Sequence, residues 1–454
     1  MSTCRGSHFG REFVRAIIVC GLATVFFSSA PLWAVDAAGT EFWAAFETNG
    51  IPGTISVQIL GESGTIGTVA VPGLAFSAPF AIASQGEADV VLPAGAMLTS
   101  ADGVESAGVH VTASRPVVVY ALDVEVESSD TLLVLPVQDL GTDFYTMSYT
   151  PDPSAPLVFQ SEFAVVATAA GTHVTVTPTA VVGAHSAGVP YQVTLEAGQA
   201  YQGQSSGDLS GTHVVADHPV AVLSGDNYTN VPNGAFYADF LGEEVHPTAD
   251  WGTDAFAVPS ALRTAAERYR VLASVDNTTV TVSTGGGFVL NAGQFFEGTF
   301  GSPVLFQGSH PISVTHFANS GQVDGGPGDP FELVELSAER FPHGYLVATA
   351  DDGSIFSSNY VNIVAPAAAV GRIAIDGVRI AAANFTTIGA TGYSSCRLAI
   401  AAGAHRLLGP LPFGASVYGF GADVSYGSPA GGMSLPFSDG FETGDTSDWS
   451  DVVP

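Results

Sequence analysis

The chain contains no lysine: all 12 basic residues among its 454 are arginine, set against 43 acids. Arg5, Arg11, Arg15 and Glu12 precede residue 35, and the remainder carries 42 acids against nine arginines, a formal charge of −33. Such a surface repels phosphate backbones and anionic lipid, which excludes nucleic acid as a partner. Cysteine is nearly absent too. Of Cys4, Cys20 and Cys396 only the last lies beyond the first 35 residues, so no disulfide framework holds the chain. Beyond the first 35 residues long apolar runs are missing: the densest there, Val361 to Gly371, is broken by Asn362, Pro366 and Gly371, and no transmembrane span is expected in that part of the chain. What the chain does have is a 46% hydrophobic content, ample for packed cores and incompatible with disorder.

The N-terminus follows the order of an export signal. Arg5, Arg11 and Arg15 precede an apolar run from Ala16 to Phe27, and Ser28-Ser29-Ala30 and Leu32-Trp33-Ala34 follow. The expectation is a signal peptide over residues 1–34 cleaved after Ala34, and hence a secreted or cell-surface protein.

The body reads as strand throughout. Phe163-Ala164-Val165-Val166-Ala167, His173-Val174-Thr175-Val176-Thr177 and Val220-Ala221-Val222-Leu223 are short β-branched runs, and 53 glycines and 27 prolines punctuate the chain. Only Ser260 to Arg268 hints at a helical turn or two. Internal repetition is stronger evidence. A Gly-Thr-acid-aromatic cluster recurs as Gly39-Thr40-Glu41-Phe42-Trp43, Gly141-Thr142-Asp143-Phe144-Tyr145 and Gly252-Thr253-Asp254-Ala255-Phe256, with a degenerate copy at Phe341 to Tyr345. An Ala-Gly step closes a strand at Gly95, Gly198, Gly293 and Gly403, spaced by 103, 95 and 110 residues. Residue-proline steps at Pro116, Pro219 and Pro311 follow 21, 21 and 18 residues after their glycines, each expected to open a new strand. The fold expected is all-β: four tandem antiparallel sandwich-like units at 39–140, 141–251, 252–340 and 341–431. A propeller-like closed assembly is the alternative. Residues 432–454 form an acidic tail resembling a Gly-Phe-Glu-Thr-Gly-Asp-type terminal segment of exported proteins.

The repeats demote several tempting residues. Glu41, Asp143 and Asp254 occupy one place in successive units, which favours hydrogen bonding at turns or strand entries over catalysis. His218 and His310 share their place with Arg115, so the common property is a pre-proline turn and no metal is expected. There is no G-x-S-x-G elbow, P-loop, H-E-x-x-H or C-x-x-C pattern, and Cys396 reads as a small buried hydrophobe. The acidic loops Asp324 to Asp329 and Asp351-Asp352-Gly353 offer oxygen ligands for calcium but match no calcium-binding pattern, so no cofactor is expected. A catalytic carboxylate pair would require a cleft with two facing acids.

Several stretches taken in order resemble the N-terminal domain of the IgG-Fc-binding protein family. These are Asp130-Thr131-Leu132-Leu133-Val134-Leu135-Pro136, Asp276-Asn277-Thr278-Thr279-Val280, Asn359-Tyr360-Val361-Asn362-Ile363 and Val417-Tyr418-Gly419-Phe420-Gly421. The resemblance implies an extracellular binding or adhesion module without catalytic residues, acting on a protein or glycan partner. A secreted carbohydrate-active enzyme and a structural surface component are the rivals. Loops after the proline-bearing strands are the expected contact points, with Asn227, Tyr228, Phe317 and Asn319 as candidates.

Overall fold

The computed structural model describes residues 36–153, 159–350 and 354–433. The signal segment with Ala34, the loop at 351–353 and the tail beyond Met433 lie outside the described residues. Nearly all regular structure is β, as expected; the stretch from Ser260 makes only a turn before entering a strand.

The first sheet comprises β1 (Gly39–Ala44), β2 (Thr54–Gly61), β3 (Ile66–Val71), β4 (Phe76–Ala81) and β5 (Glu87–Val91). After the short β6 (Asp102–Glu105) it is completed by the long β7 (Val109–Val124) and by β8 (Asp130–Val134). Strand β7 pairs with β1, β2, β3 and β8. The second sheet repeats this plan with β9 (Gly141–Tyr145), β10 (Ser161–Ala167), β11 (Thr172–Thr177), β12 (Tyr191–Leu195) and β13 (Ala200–Ser205). Its long strand β14 (His213–Thr229) pairs with β9, β10, β11 and with β15 (Asp239–Glu244). In the third sheet β16 (Gly252–Ala257), β17 (Glu267–Ala273), β18 (Thr278–Val282), β19 (Gly287–Leu290) and β20 (Phe295–Phe300) precede the long β21 (Val304–Phe317) and β22 (Glu332–Glu335).

The last group splits into two five-stranded sheets. It holds β23 (Gly344–Ala348), β24 (Ser358–Pro366), β25 (Ala374–Ile375), β26 (Val378–Arg379), β27 (Thr386–Thr387) and β28 (Tyr393–Ile400). Strands β29 (Ala404–Leu408), β30 (Gly414–Phe420), β31 (Ser425–Pro429) and β32 (Gly431–Met433) complete it. Here Pro410 and Pro412 fall between β29 and β30, so the long strand of the other groups is cut in two. Gly432 and Met433, expected in the tail, belong to β32.

The three prolines do not open strands. Pro116, Pro219 and Pro311 sit inside the long strands, where the pairing with β1, β9 and β16 slips register. A bulge leaves a residue outside the ladder, so a residue without an N–H loses nothing there, and the strand bends from one half of its sheet to the other. The Ala-Gly steps also divide. Gly198 and Gly293 occupy the same turn before β13 and β20, whereas Gly95 follows β5 and Gly403 precedes β29.

Successive groups share cores. Ala164, Val166 and Leu223 of the second pack into the core of the first, and Leu272 and Phe317 of the third join Met147 and Trp251 of the second. Phe256 and Leu305 of the third meet Phe341 and Val364 of the fourth. Tyr120, Leu122 and Leu133 of the first lie in the core of the fourth, closing a ring. The axial strands β8, β15, β22 and β31 are bound together by one buried side chain. Asp130 Oδ1 accepts the N–H groups of Gly427 (3.1 Å) and Thr131 (2.9 Å), and its Oδ2 those of Glu332 (3.2 Å) and Gly242 (3.4 Å). The closed assembly is therefore the arrangement found.

Candidate functional site

The recurrent Gly-Thr-acid-aromatic cluster is a joint between groups, not a turn device. Glu41 meets His110 across β1 and β7 at 3.0 Å, and Asp143 meets His213 at 3.4 Å. Each histidine stacks on the cluster's aromatic, His110 on Trp43 (4.1 Å) and His213 on Tyr145 (4.5 Å). The Ala-Gly turn of the next group docks on that aromatic, Gly198 on Trp43 and Gly293 on Tyr145. In the third copy Gln307 replaces histidine opposite Asp254 at 3.3 Å, and Phe256 packs against Tyr393. A side chain anchored in this way serves the ring. His218 and His310 are exposed, and among the described residues His218 bonds to Asp217 and His310 to Ser309 and Thr278.

The four predicted contact residues do not form one surface. Phe317 is fully buried beside Tyr149, with ring centroids 5.2 Å apart. Asn319 is buried as well, accepting from Arg268 at 2.9 Å and donating to the Ala266 carbonyl at 3.2 Å. Asn227 pins a loop: its Oδ1 accepts the Gln160 N–H and its carbonyl accepts that of Gly50, both at 2.7 Å. Only Tyr228 reaches solvent, packed edge-on against Phe159.

The exposed aromatics lie one loop further on. Phe236 is 68% and Tyr237 53% exposed, in the loop joining β14 to β15. That loop is fastened at its base. Val231 and Ser320 exchange hydrogen bonds, with Ser320 N donating to the Val231 carbonyl (2.7 Å) and Val231 N to Ser320 Oγ (2.9 Å). Asp152 accepts from Gly234 N at 2.7 Å, and Gln322 accepts from Phe236 N at 2.9 Å. Tyr237 sits at φ 76°, a left-handed conformation unusual for a bulky residue. Val126, between β7 and β8, and Val323, between β21 and β22, are exposed in the corresponding loops. In the sequence this loop is marked by the turn signal Pro232-Asn233-Gly234 shortly before the two aromatics.

The sequence profile of the IgGFc binding protein family matches residues 130–419, more than half of the chain. The chain belongs to that family. Among relatives, the human protein named IgGFc-binding protein is 29% identical over 273 residues, 58% of this chain. The match spans about 5% of that relative's length, so the chain corresponds to a small part of it.

Two further features of this IgGFc-binding family member bear on chemistry. The first is a set of buried acids around the axis. Glu47, Glu162, Asp226 and Glu332 are each at most 2% exposed. Both carboxylate oxygens of Glu47 and Glu332, and one each of Glu162 and Asp226, have no hydrogen-bond partner among the described residues. Burial pushes all four well above the usual carboxylate range; the neighbouring acids push Glu162, Asp226 and Glu332 the same way. Arg270, 2% exposed, counters this for Asp226 and Glu332 while bridging Asp208 and Glu297 at 3.0 Å each. Among the described residues no three His, Cys, Asp or Glu side chains are placed to hold a metal ion. The second feature is a small cleft, with a cavity volume of only about 20 Å³, between the third and fourth groups. Phe256 and Phe341 wall it, and Glu335, lifted by burial to about 8, is the one carboxylate lining it. A cleft with a single acid does not supply the facing pair that glycoside hydrolysis uses. No helix among the described residues is long and apolar enough to cross a membrane.

Proposed function

We propose that this chain is a secreted, non-catalytic binding module that captures an extracellular protein or glycoprotein through the loops at one end of the ring. The observation that carries this reading is the pair Phe236 and Tyr237, exposed on a loop whose base is fixed by Ser320 and Asp152. Exposed aromatics on a pre-ordered loop bury large apolar area on binding with little loss of conformational entropy. Tyr228 flanks them as a secondary contact, while Asn227, Phe317 and Asn319 act from beneath by shaping the loops. The segment 1–34 would export the chain, and the stretches 39–140, 141–251, 252–340 and 341–431 are read as four repeat units that set the loops around the axis.

The relative's name makes the immunoglobulin G Fc fragment the first probe, with mucin-type glycoproteins and a glycan array beside it. The purified chain should be retained on at least one of these surfaces. Joint replacement Phe236→Ala and Tyr237→Ala should weaken retention at least tenfold. Retention on none of them, or equal binding by the double variant, overturns the reading.

A further inference from the structure

The strand order contains one added strand that reveals what another edge lacks. Strand β6 lies before β7 in the chain, yet it pairs with β13 of the following sheet. It pairs with Ala200 to Gly203 along that edge, and all six residues of β13 are buried. The Tyr201 ring, opposite Val104 of β6, is 2% exposed, and its hydroxyl donates to Asp102 at 2.8 Å. In the fourth group β27 plays a shorter version of the same part against β28.

Strand β20 is the counterpart of β13 in the third sheet. Each follows its Ala-Gly turn, so Phe296 stands where Tyr201 stands, Glu297 where Gln202 does and Thr299 where Gln204 does. Among the described residues no strand pairs with the outer side of β20. None of its six residues is buried. The reason lies in the connection. Between β5 and β7 there are 17 residues, which include β6, but only seven separate β13 from β14 and they form no strand. The edge of β20 was thus left without the strand that its neighbour received.

We propose that the open edge of β20 is a strand-addition site that takes an extended polypeptide segment of a partner protein. The added segment would repeat the β6–β13 pairing, with backbone hydrogen bonds holding it and an apolar side chain covering the half-buried Phe296 and Phe300. The outward donors follow from the occupied edge. There the Gln204 N–H donates to the Ala101 carbonyl of the β6 segment at 2.8 Å, so Thr299 N–H, and Glu297 N–H two residues before it, point outward in β20. Strand β5 is also a free edge, but Glu87 and Asp89 on its short length repel an incoming strand. A second copy of this chain is disfavoured by its formal charge of −31. This surface lies on the sheet edge, and the inference does not depend on the loop-binding reading.

The test uses the full chain and a displayed library of linear random seven-residue peptides. Enriched sequences should alternate apolar or β-branched residues with polar ones. A synthetic peptide of the most enriched sequence should slow amide exchange at Glu297 and Thr299. Thr299→Pro, which removes an outward donor at an edge position that tolerates proline, should weaken it at least tenfold, while Thr299→Ala should not. N-methylation of the peptide at alternate amides gives a second reading that leaves the protein untouched: one of the two alternating sets should abolish binding. Absence of any enriched peptide, or binding indifferent to both Thr299→Pro and N-methylation, overturns the proposal. Loss of peptide binding in the Phe236→Ala, Tyr237→Ala variant alone would place the peptide on the loops and overturn it too. A dimer formed without peptide and dissolved by Thr299→Pro would make the occupant a second copy and overturn the partner assignment.

Discussion

Asp130 and Gly427 are 297 positions apart in the chain and 3.1 Å apart in space, the carboxylate accepting the glycine N–H. Because the same side chain also accepts from Gly242 and Glu332, it joins β8 to the axial strands of all three other groups. Asp130→Asn replaces an accepting oxygen by an NH2 that faces N–H donors. The expected loss is ~3 kcal/mol, the cost of leaving buried donors unmatched. A lowered urea midpoint with an unchanged slope would record it, and an unchanged midpoint would show that Asp130 does not hold the ring.

Gly198 supports a second prediction. It lies at φ 77°, and an added Cβ would stand 2.8 Å from Trp43. Gly188 lies at φ 71° with open space around it. Both Gly→Ala changes carry the left-handed strain of ~1 kcal/mol, but only Gly198→Ala also pushes the second group off the Trp43–His110 stack. Gly198→Ala is expected to cost ~1–3 kcal/mol more than Gly188→Ala. Equal losses in chemical denaturation would mean that the Trp43 joint is soft.

Much of this ring was legible in the sequence, and the illegible part has identifiable causes. The short β-branched runs became strands because alternation and turn residues are local signals. The Gly-Thr-acid-aromatic repeat correctly marked a shared position, but its role needed His110 and His213, which lie some 70 residues away. The prolines were misplaced because a bulge in the middle of a strand and the start of a strand leave the same local trace. Ring closure stood only as the alternative to open tandem units, since repeat spacing is the same in both and nothing near Asp130 announces Gly427. Phe317 and Asn319 follow Pro311 at the end of a strand, and from sequence alone a strand end entering the core looks like one leaving it. Phe236 and Tyr237 carried a readable signal in the preceding Asn-Gly turn.

Tyr237 separates binding from stability. Its φ of 76° costs an L-residue ~1–2 kcal/mol, which glycine does not incur. Tyr237→Gly is therefore expected to leave the melting temperature unchanged or slightly raised, while it weakens binding to whichever extracellular probe the chain retains. A fall in the melting temperature of several degrees would instead assign the ring a packing role.

The buried acids set a pH dependence whose sign runs against ordinary acid denaturation. Burial raises Glu47, Glu162, Asp226 and Glu332, lifts Asp123 to about 6, and Asp329 and Glu335 to about 8. Such groups hold their protons more tightly in the folded chain. Their stabilising contribution is complete below the unfolded values of about 4 and is lost as pH climbs through the folded ones. Glu267 is the buried exception: burial raises it, but His316 and Arg263 outweigh that and hold it below the usual range. Repulsion among the many surface acids adds to the loss with rising pH. Stability is expected to peak near pH 4–5 and to decline up to pH 8. Glu47→Gln removes a charge that has no partner among the described residues. It should raise the melting temperature at pH 8 by ~3 °C, the shift that about 1 kcal/mol produces in a large domain, and leave it unchanged at pH 4.5. Stability that climbs from pH 5 to 8, or a Glu47→Gln effect equal at both pH values, would mean that these carboxylates are ionised in the folded ring.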